Sequence, residues 1–239
     1  MRTETCRNLT VVLLGLALAA PARAAVEDFK IDPAHSAVTF TIRHFLSKVP
    51  GSFQKLSGTI AFDASDPGTA KVAAEIDATS ISTGNEGREK HLKSPDFFDV
   101  EKFPTLTFAS TAVVKGSSAD SMTLKGDLTM HGVTKPVEVK VTSLGALTDA
   151  WGNHRAAFEG TTTINRKDFG ITFNKVLDAG STMLGDEVAV TLNIEAVKKK
   201  PEAAKEGEAA AKPKPEGAKA APAAPAGDHA KPAVKPPTK

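Results

Sequence analysis

Cysteine is almost missing from this chain, with one residue, Cys6, in 239. Cys6 lies ahead of the apolar run from Leu9 to Ala20 and not at a cleavage position behind it, so it matches no lipoprotein signal. Arg2 and Arg7 precede that run, and Ala22-Arg23-Ala24 follows it with the small residues a signal peptidase requires. The expectation is a signal peptide over residues 1–24, cleavage after Ala24 and a periplasmic or secreted product. Such a product keeps no thiol, which excludes disulfides, thiolate catalysis and thiolate metal binding. Long apolar runs are lacking too: about 12 residues is short of the roughly 18 that would span a bilayer as a helix. Tyrosine is absent and tryptophan occurs once, so the aromatic content rests on 12 phenylalanines.

Charge is not lacking, but it is unevenly divided. Residues 198–239 hold ten Lys against five acidic residues, a net of +5, and have no aromatic residue. Residues 25–197 hold 17 basic and 22 acidic residues, a net of −5. The Ala/Lys/Pro-rich tail has nothing with which to build a core and is expected to be disordered, a spacer or a basic arm for anionic envelope polymers. Residues 25–197 form one expected domain.

What that domain does have is an apolar period of two, the mark of strands with one buried face. Val38, Phe40 and Ile42 alternate with Thr39, Thr41 and Arg43. The pattern recurs in Ile60 and Phe62; in Val72, Ala74 and Ile76; in Leu106 and Phe108; and in Met122, Leu124 and Leu128. It continues in Val137, Val139 and Val141, in Phe158 and Ile164, and in Val188, Val190, Leu192 and Ile194. That makes eight expected strands, punctuated by turn residues such as Asp66-Pro67-Gly68 and Trp151-Gly152-Asn153. Residues 85–100 break the pattern and read as one or two short helices over a barrel mouth, with Ser94 capping a second helix begun by Pro95. An antiparallel barrel and a two-sheet sandwich share this alternation, and pattern alone leaves the choice open.

Polar chemistry finds little support. Asp32, His35 and Ser36 contain the atoms of a hydrolase triad, but neighbouring side chains on an extended chain point to opposite faces, so His35 is badly placed to activate Ser36. The six histidines are scattered, with no His-x-His or His-x-x-x-His pair to share a metal. His35, His44 and His131 read better as hydrogen-bonding residues of turns and strand ends. Residues 84–88 lack the glycine spacing of a nucleotide loop, and an acidic domain is a poor match for nucleic acid. No catalytic residue, metal or cofactor is expected.

Four blocks resemble the YceI-like family: Ile31-Asp32-Pro33-Ala34-His35-Ser36 leading to Phe40-Thr41-Ile42-Arg43-His44; His91-Leu92-Lys93-Ser94-Pro95-Asp96-Phe97-Phe98-Asp99-Val100 with Phe103-Pro104; Leu128 to Val137; and Asn165-Arg166-Lys167-Asp168-Phe169-Gly170. Phe29, where that family often has Tyr, and Glu89, where it often has Asp, depart from the pattern. The resemblance implies an all-β fold, an eight-stranded antiparallel lipocalin-like barrel whose tunnel holds a polyisoprenoid lipid or quinone. The inward positions would be Val38, Phe40, Ile42, Ile60, Phe62, Ile76, Leu106, Phe108, Leu124, Leu128, Val139, Phe158, Ile164, Val190 and Leu192. Arg43, Arg88, His91, Asn165 and Arg166 are the candidates for a polar head group at the mouth. The expected function is a carrier or buffer without a chemical step. The competing expectations are an enzyme of isoprenoid or envelope lipid metabolism and a structural protein that adheres through its basic tail.

Overall fold

The computed structural model describes residues 26–63, 66–176 and 182–199. The expected signal peptide and nearly all of the expected disordered tail lie outside the described residues.

The alternating segments form strands β1 (Glu27–Ile31), β2 (Ala37–His44), β3 (Ser47–Phe53), β4 (Leu56–Phe62), β5 (Lys71–Asp77) and β6 (Ile81–Ser82). One helix follows, α1 (Glu86–Lys93), and then β7 (Thr105–Lys115), β8 (Ser121–Met130), β9 (Val133–Thr148), β10 (His154–Asn165) and β11 (Leu184–Lys198). Every pairing is antiparallel, and β1 pairs with both β4 and β11, which closes the sheet. The result is a closed barrel of eight antiparallel strands. Closure decides between the two architectures the alternation had allowed, and it removes the open edges that β1 and β11 would otherwise present to each other.

Eleven segments make eight barrel strands because the first three are each broken. β1 and β2 run in succession along β11, β3 and β4 along β2 and β1, and β5 and β6 along β4 and β3. The breaks are stitched to one another by side chains. The Ser36 hydroxyl donates to Glu195 O and accepts from Glu195 N, and the Ser80 hydroxyl accepts from the backbone N–H of Gln54 and Lys55. Ser36 is thus held by β11 and not by His35, which bonds Asp32 instead.

Two expectations need correction. Asn85 caps α1 by accepting from Arg88 N, and Ser94 stands at its C-terminal cap; residues 95–98 are turn, so no second helix begins at Pro95. Ser94 O accepts from Phe97 N and Asp99 N, and its hydroxyl donates to His91 O, which ties up the local groups a new helix would need. The barrel also runs slightly past the expected boundary at 197: Lys198 pairs with Phe29 in the ladder, and Lys199 N donates to Asp28 O. No helix among the described residues is long and apolar enough to cross a membrane.

The hairpin between β2 and β3 lies with α1 at one end of the barrel, called upper here. The turn between β9 and β10 lies at the other.

Candidate functional site

The inward side chains of the strands do not fill the barrel. They surround a cavity of about 270 Å³, far above the roughly 10–15 Å³ that admits a single water. Each of the inward positions expected from the sequence, from Val38 on β2 to Leu192 on β11, lies on its wall. Along β8 the lining runs from Met122 to Met130, about 26 Å at about 3.3 Å per residue, so the cavity follows the strands and is elongated.

Two glycines explain how Phe40 and Phe108, two of the phenylalanines on the wall, leave space. A Cβ on Gly51 would stand 2.3 Å from Phe40 Cζ, and one on Gly126 would stand 2.4 Å from Phe108 Cζ. The rings of Phe40 and Phe108 therefore lie down over neighbouring strands, against the wall, where any side chain would push them into the lumen. Phe62 and Phe158 meet edge to face across 5.9 Å.

The polar residues at the wall are already satisfied. The Thr162 hydroxyl donates to Glu138 O, and Glu159 is an exposed residue. Arg166 is 3% exposed, and its guanidinium donates to Gly185 O at 2.9 Å, Ile171 O at 2.9 Å, Phe173 O at 2.8 Å and Asp186 Oδ1 at 3.2 Å. Burial pushes its pKa down and Asp186 opposes the shift; an arginine stays charged regardless. Among the described residues no buried side-chain polar atom lacks a partner. The wall therefore offers van der Waals contact and no unused hydrogen-bonding group, which suits an apolar occupant and no polar one.

At the upper end a second cavity of about 310 Å³ adjoins the first, and Phe40, Ile42, Leu92 and Phe97 line both. Its rim is mixed: His44, Arg88, His91 and Lys175 with Phe173, Met183 and Leu184. His91 bonds Asp96 at 2.8 Å and meets the rings of Phe97 and Phe173 edge-on. Arg88 donates to the hydroxyl and carbonyl of Thr83. Of the five head-group candidates, Arg88 and His91 thus reach this rim. Arg43 and Asn165 line neither cavity: Arg43 donates to Phe45 O, and Asn165 caps a 3₁₀ turn by accepting from Lys167 N. Arg166 lines the first cavity, but its donors are taken as described.

Sequence reasoning missed part of the lining. Phe53 and Leu56 flank a strand break, and Leu92, Phe97 and Phe98 come from α1 and the turn after it, where no period of two operates. The glycines were silent, although a glycine opposite a phenylalanine in a strand is the available signal.

At the lower end, Asp32, His35 and Glu195 bring one ligating atom each within 4.8 Å of one another. Arg155 already lies among them, bonded to Asp32, Glu195 and Asp149. His35 and Arg155 lower the Asp32 pKa to about 2, and Arg155 is the main reason Asp149 is also held well below the usual carboxylate range.

The YceI-like domain profile matches residues 29–196. A UPF0312 protein of Pseudomonas fluorescens is 40% identical over 201 residues, which cover 81% of this chain and 98% of that one. Among solved structures, BcnA of Burkholderia cenocepacia superposes with a TM-score of 0.62 at 24% identity, over 69% of this chain and 98% of its own. A polyisoprenoid binding domain from Saccharophagus degradans superposes with a TM-score of 0.53 at 15% identity, over 73% and 100%. At those identities the two structures speak for the fold.

Proposed function

The chain belongs to the YceI-like family, and from that premise we propose that it binds one long apolar chain, a polyisoprenoid lipid or quinone, in the barrel tunnel. It holds that chain as a carrier or buffer and performs no chemistry on it. The observation that carries this reading is the elongated 270 Å³ cavity whose wall has no unused polar group. The name of the Saccharophagus degradans domain, a polyisoprenoid binding domain with the same fold, supports the choice of ligand class.

An apolar chain withdrawn from water gains roughly 0.8 kcal/mol per CH₂. Twenty carbons thus make roughly 16 kcal/mol available, against association and ordering costs of about 4 to 15 kcal/mol. Tight binding needs no charged contact. The same arithmetic makes chain length a weak discriminator and leaves selectivity to the head group at the rim, where Arg88 and His91 are placed. The signal-like pattern of residues 1–24 supports a site of action outside the cytoplasm, in the periplasm or beyond.

The test is native mass spectrometry of the protein purified from its own source, with organic extraction of any added mass. An intact apolar lipid at one per chain is expected. Protein at its bare mass that also takes up no added polyprenol or quinone would refute the reading.

A further inference from the structure

The tip of the β2–β3 hairpin exposes two large apolar residues side by side. Leu46 is fully exposed, and Phe45 is 42% exposed with φ of 52°, a left-handed conformation that a bulky side chain rarely adopts. The tip is held in place: Arg43 Nη1 donates to Phe45 O, the His44 ring meets Phe45 edge-on at 4.4 Å, and Phe45 N donates to Met183 O at 2.8 Å. Met183 N in turn donates to Lys175 O, which brings Val176, 76% exposed, to the same rim. His44, Val49, Lys175 and Met183 line the upper cavity, so this apolar rim borders the tunnel mouth.

Behind the tip, Arg43 and Lys48 face each other across the ladder. A like-charge pair directly opposite is destabilising, yet among the described residues neither forms an ion pair with a carboxylate, and nor does Lys175 or Arg88. An exposed apolar tip in front of uncompensated cations is the surface chemistry of interfacial lipid binding, in which apolar side chains enter the acyl boundary and cations meet lipid phosphates. These unpaired cations stand in a domain, residues 25–197, that carries a net of −5.

We infer that Phe45, Leu46 and Val176, with Arg43, Lys48 and Lys175 behind them, dock the barrel mouth on an anionic lipid bilayer. The inference rests on the lipid-binding reading, since docking there lets an apolar chain pass between membrane and tunnel without crossing water. The opposite end also exposes apolar residues, Leu144, Leu147 and Trp151, but its Arg155 is bound by three carboxylates, and among the described residues no two cations face each other in a ladder behind them.

The experiment is co-sedimentation of the full processed chain with vesicles of phosphatidylcholine and phosphatidylglycerol. The basic C-terminal stretch contributes equally to every variant. Leu46→Asp should lower partitioning at least tenfold with an unchanged melting temperature, because Leu46 packs on nothing. Arg43→Gln with Lys48→Gln should lower it about 25-fold on the mixed vesicles, at about fivefold per charge, and leave binding to pure phosphatidylcholine unaltered. Brominated lipids should quench an indole placed by Leu46→Trp in a Trp151→Phe background, and should leave wild-type Trp151 unquenched. Equal binding by wild type and Leu46→Asp, or quenching of Trp151 alone, overturns the inference. Lipid extracted from the same wild-type preparation separates the two readings: a loaded protein that ignores vesicles defeats docking and leaves the tunnel reading standing, whereas an empty protein that takes up no added polyprenol or quinone and yet docks through Leu46 does the reverse.

Discussion

Each end of the barrel turns on one arginine, and the two are compensated in opposite ways. At the upper end Arg166 is buried and gives its protons to three backbone carbonyls, with a single carboxylate, Asp186, shared with Lys167. At the lower end Arg155 is partly exposed and is met by Asp32, Asp149 and Glu195, one from each of three chain segments. Carbonyls do not titrate and carboxylates do. The mouth is therefore shaped by a device that acid reaches only at Asp186, held below its ordinary value by Lys167 and Arg166, whereas every partner of Arg155 at the lower end is a carboxylate that acid can neutralise.

The largest effect comes from breaking the upper device. Arg166→Met would strand Gly185 O, Ile171 O and Phe173 O in a buried site, and about 3–5 kcal/mol of stability should be lost. For a domain of this size the thermal melt should fall by about 10 °C or more. A shift under about 2 °C would show that the carbonyls find other donors.

Acid should then distinguish the ends. Asp32 titrates at about 2 in the folded protein against the usual 3.8, and Asp149 is lowered as well. The unfolded chain binds more protons in that window, so this stabilisation is complete above about pH 4 and is lost as pH falls toward 2. Melting temperatures measured from pH 5 down to 2 should drop, and Asp32→Asn should be less stable at pH 5 with a shallower drop. An unchanged slope in that variant would remove Asp32 from the network's energetics.

A smaller effect on stability, with a larger one on capacity, is expected midway between the ends. The atoms nearest a Cβ at Gly51 all belong to the Phe40 ring, so Gly51→Ala should swing that ring into the lumen. The cost should be about 1 kcal/mol of overpacking, and the mass of retained lipid should decrease. Unaltered lipid in a folded variant would mean that the tunnel has room to spare there. The smallest effect belongs to the tail: because the lower end is finished by Lys198, paired with Glu27, and by Lys199 on Asp28 O, a chain stopped at Lys199 should melt within about 2 °C of the full one.

These differences between the ends were only partly legible beforehand. The alternation of side chains is local, so the strands that carry Val38, Phe108 and Val190, and the inward face of each, could be read directly. Closure was not, because it depends on Phe29 meeting Lys198 across the whole domain. The breaks at residues 32–36 and 78–80 depend on Ser36 and Ser80 finding backbone partners 159 and 26 residues away. Arg166 stood out in its block, but whether its guanidinium was free for a ligand was set by carbonyls at 171, 173 and 185, which no residue type announces. Ser94 looked like the start of a helix and closes one, since the deciding cap is the Asn85 side chain on Arg88 N.

The pairing of β11 with both β1 and β2 also sets an order of events in folding. Hairpins such as β7–β8 and β8–β9 join neighbours in the chain and can form early, whereas the seam of β11 with β1 and β2 joins residues 140 or more apart in the chain. A topology closed by its most distant contact folds slowly, on the scale of milliseconds to seconds. Until that seam forms there is no enclosed lumen, only a curled sheet with its apolar face open. A lipid must therefore either be caught as the seam closes or pass through the mouth of a finished barrel, and refolding in the presence and absence of polyprenol, followed by the time course of lipid retention, would tell these two histories apart.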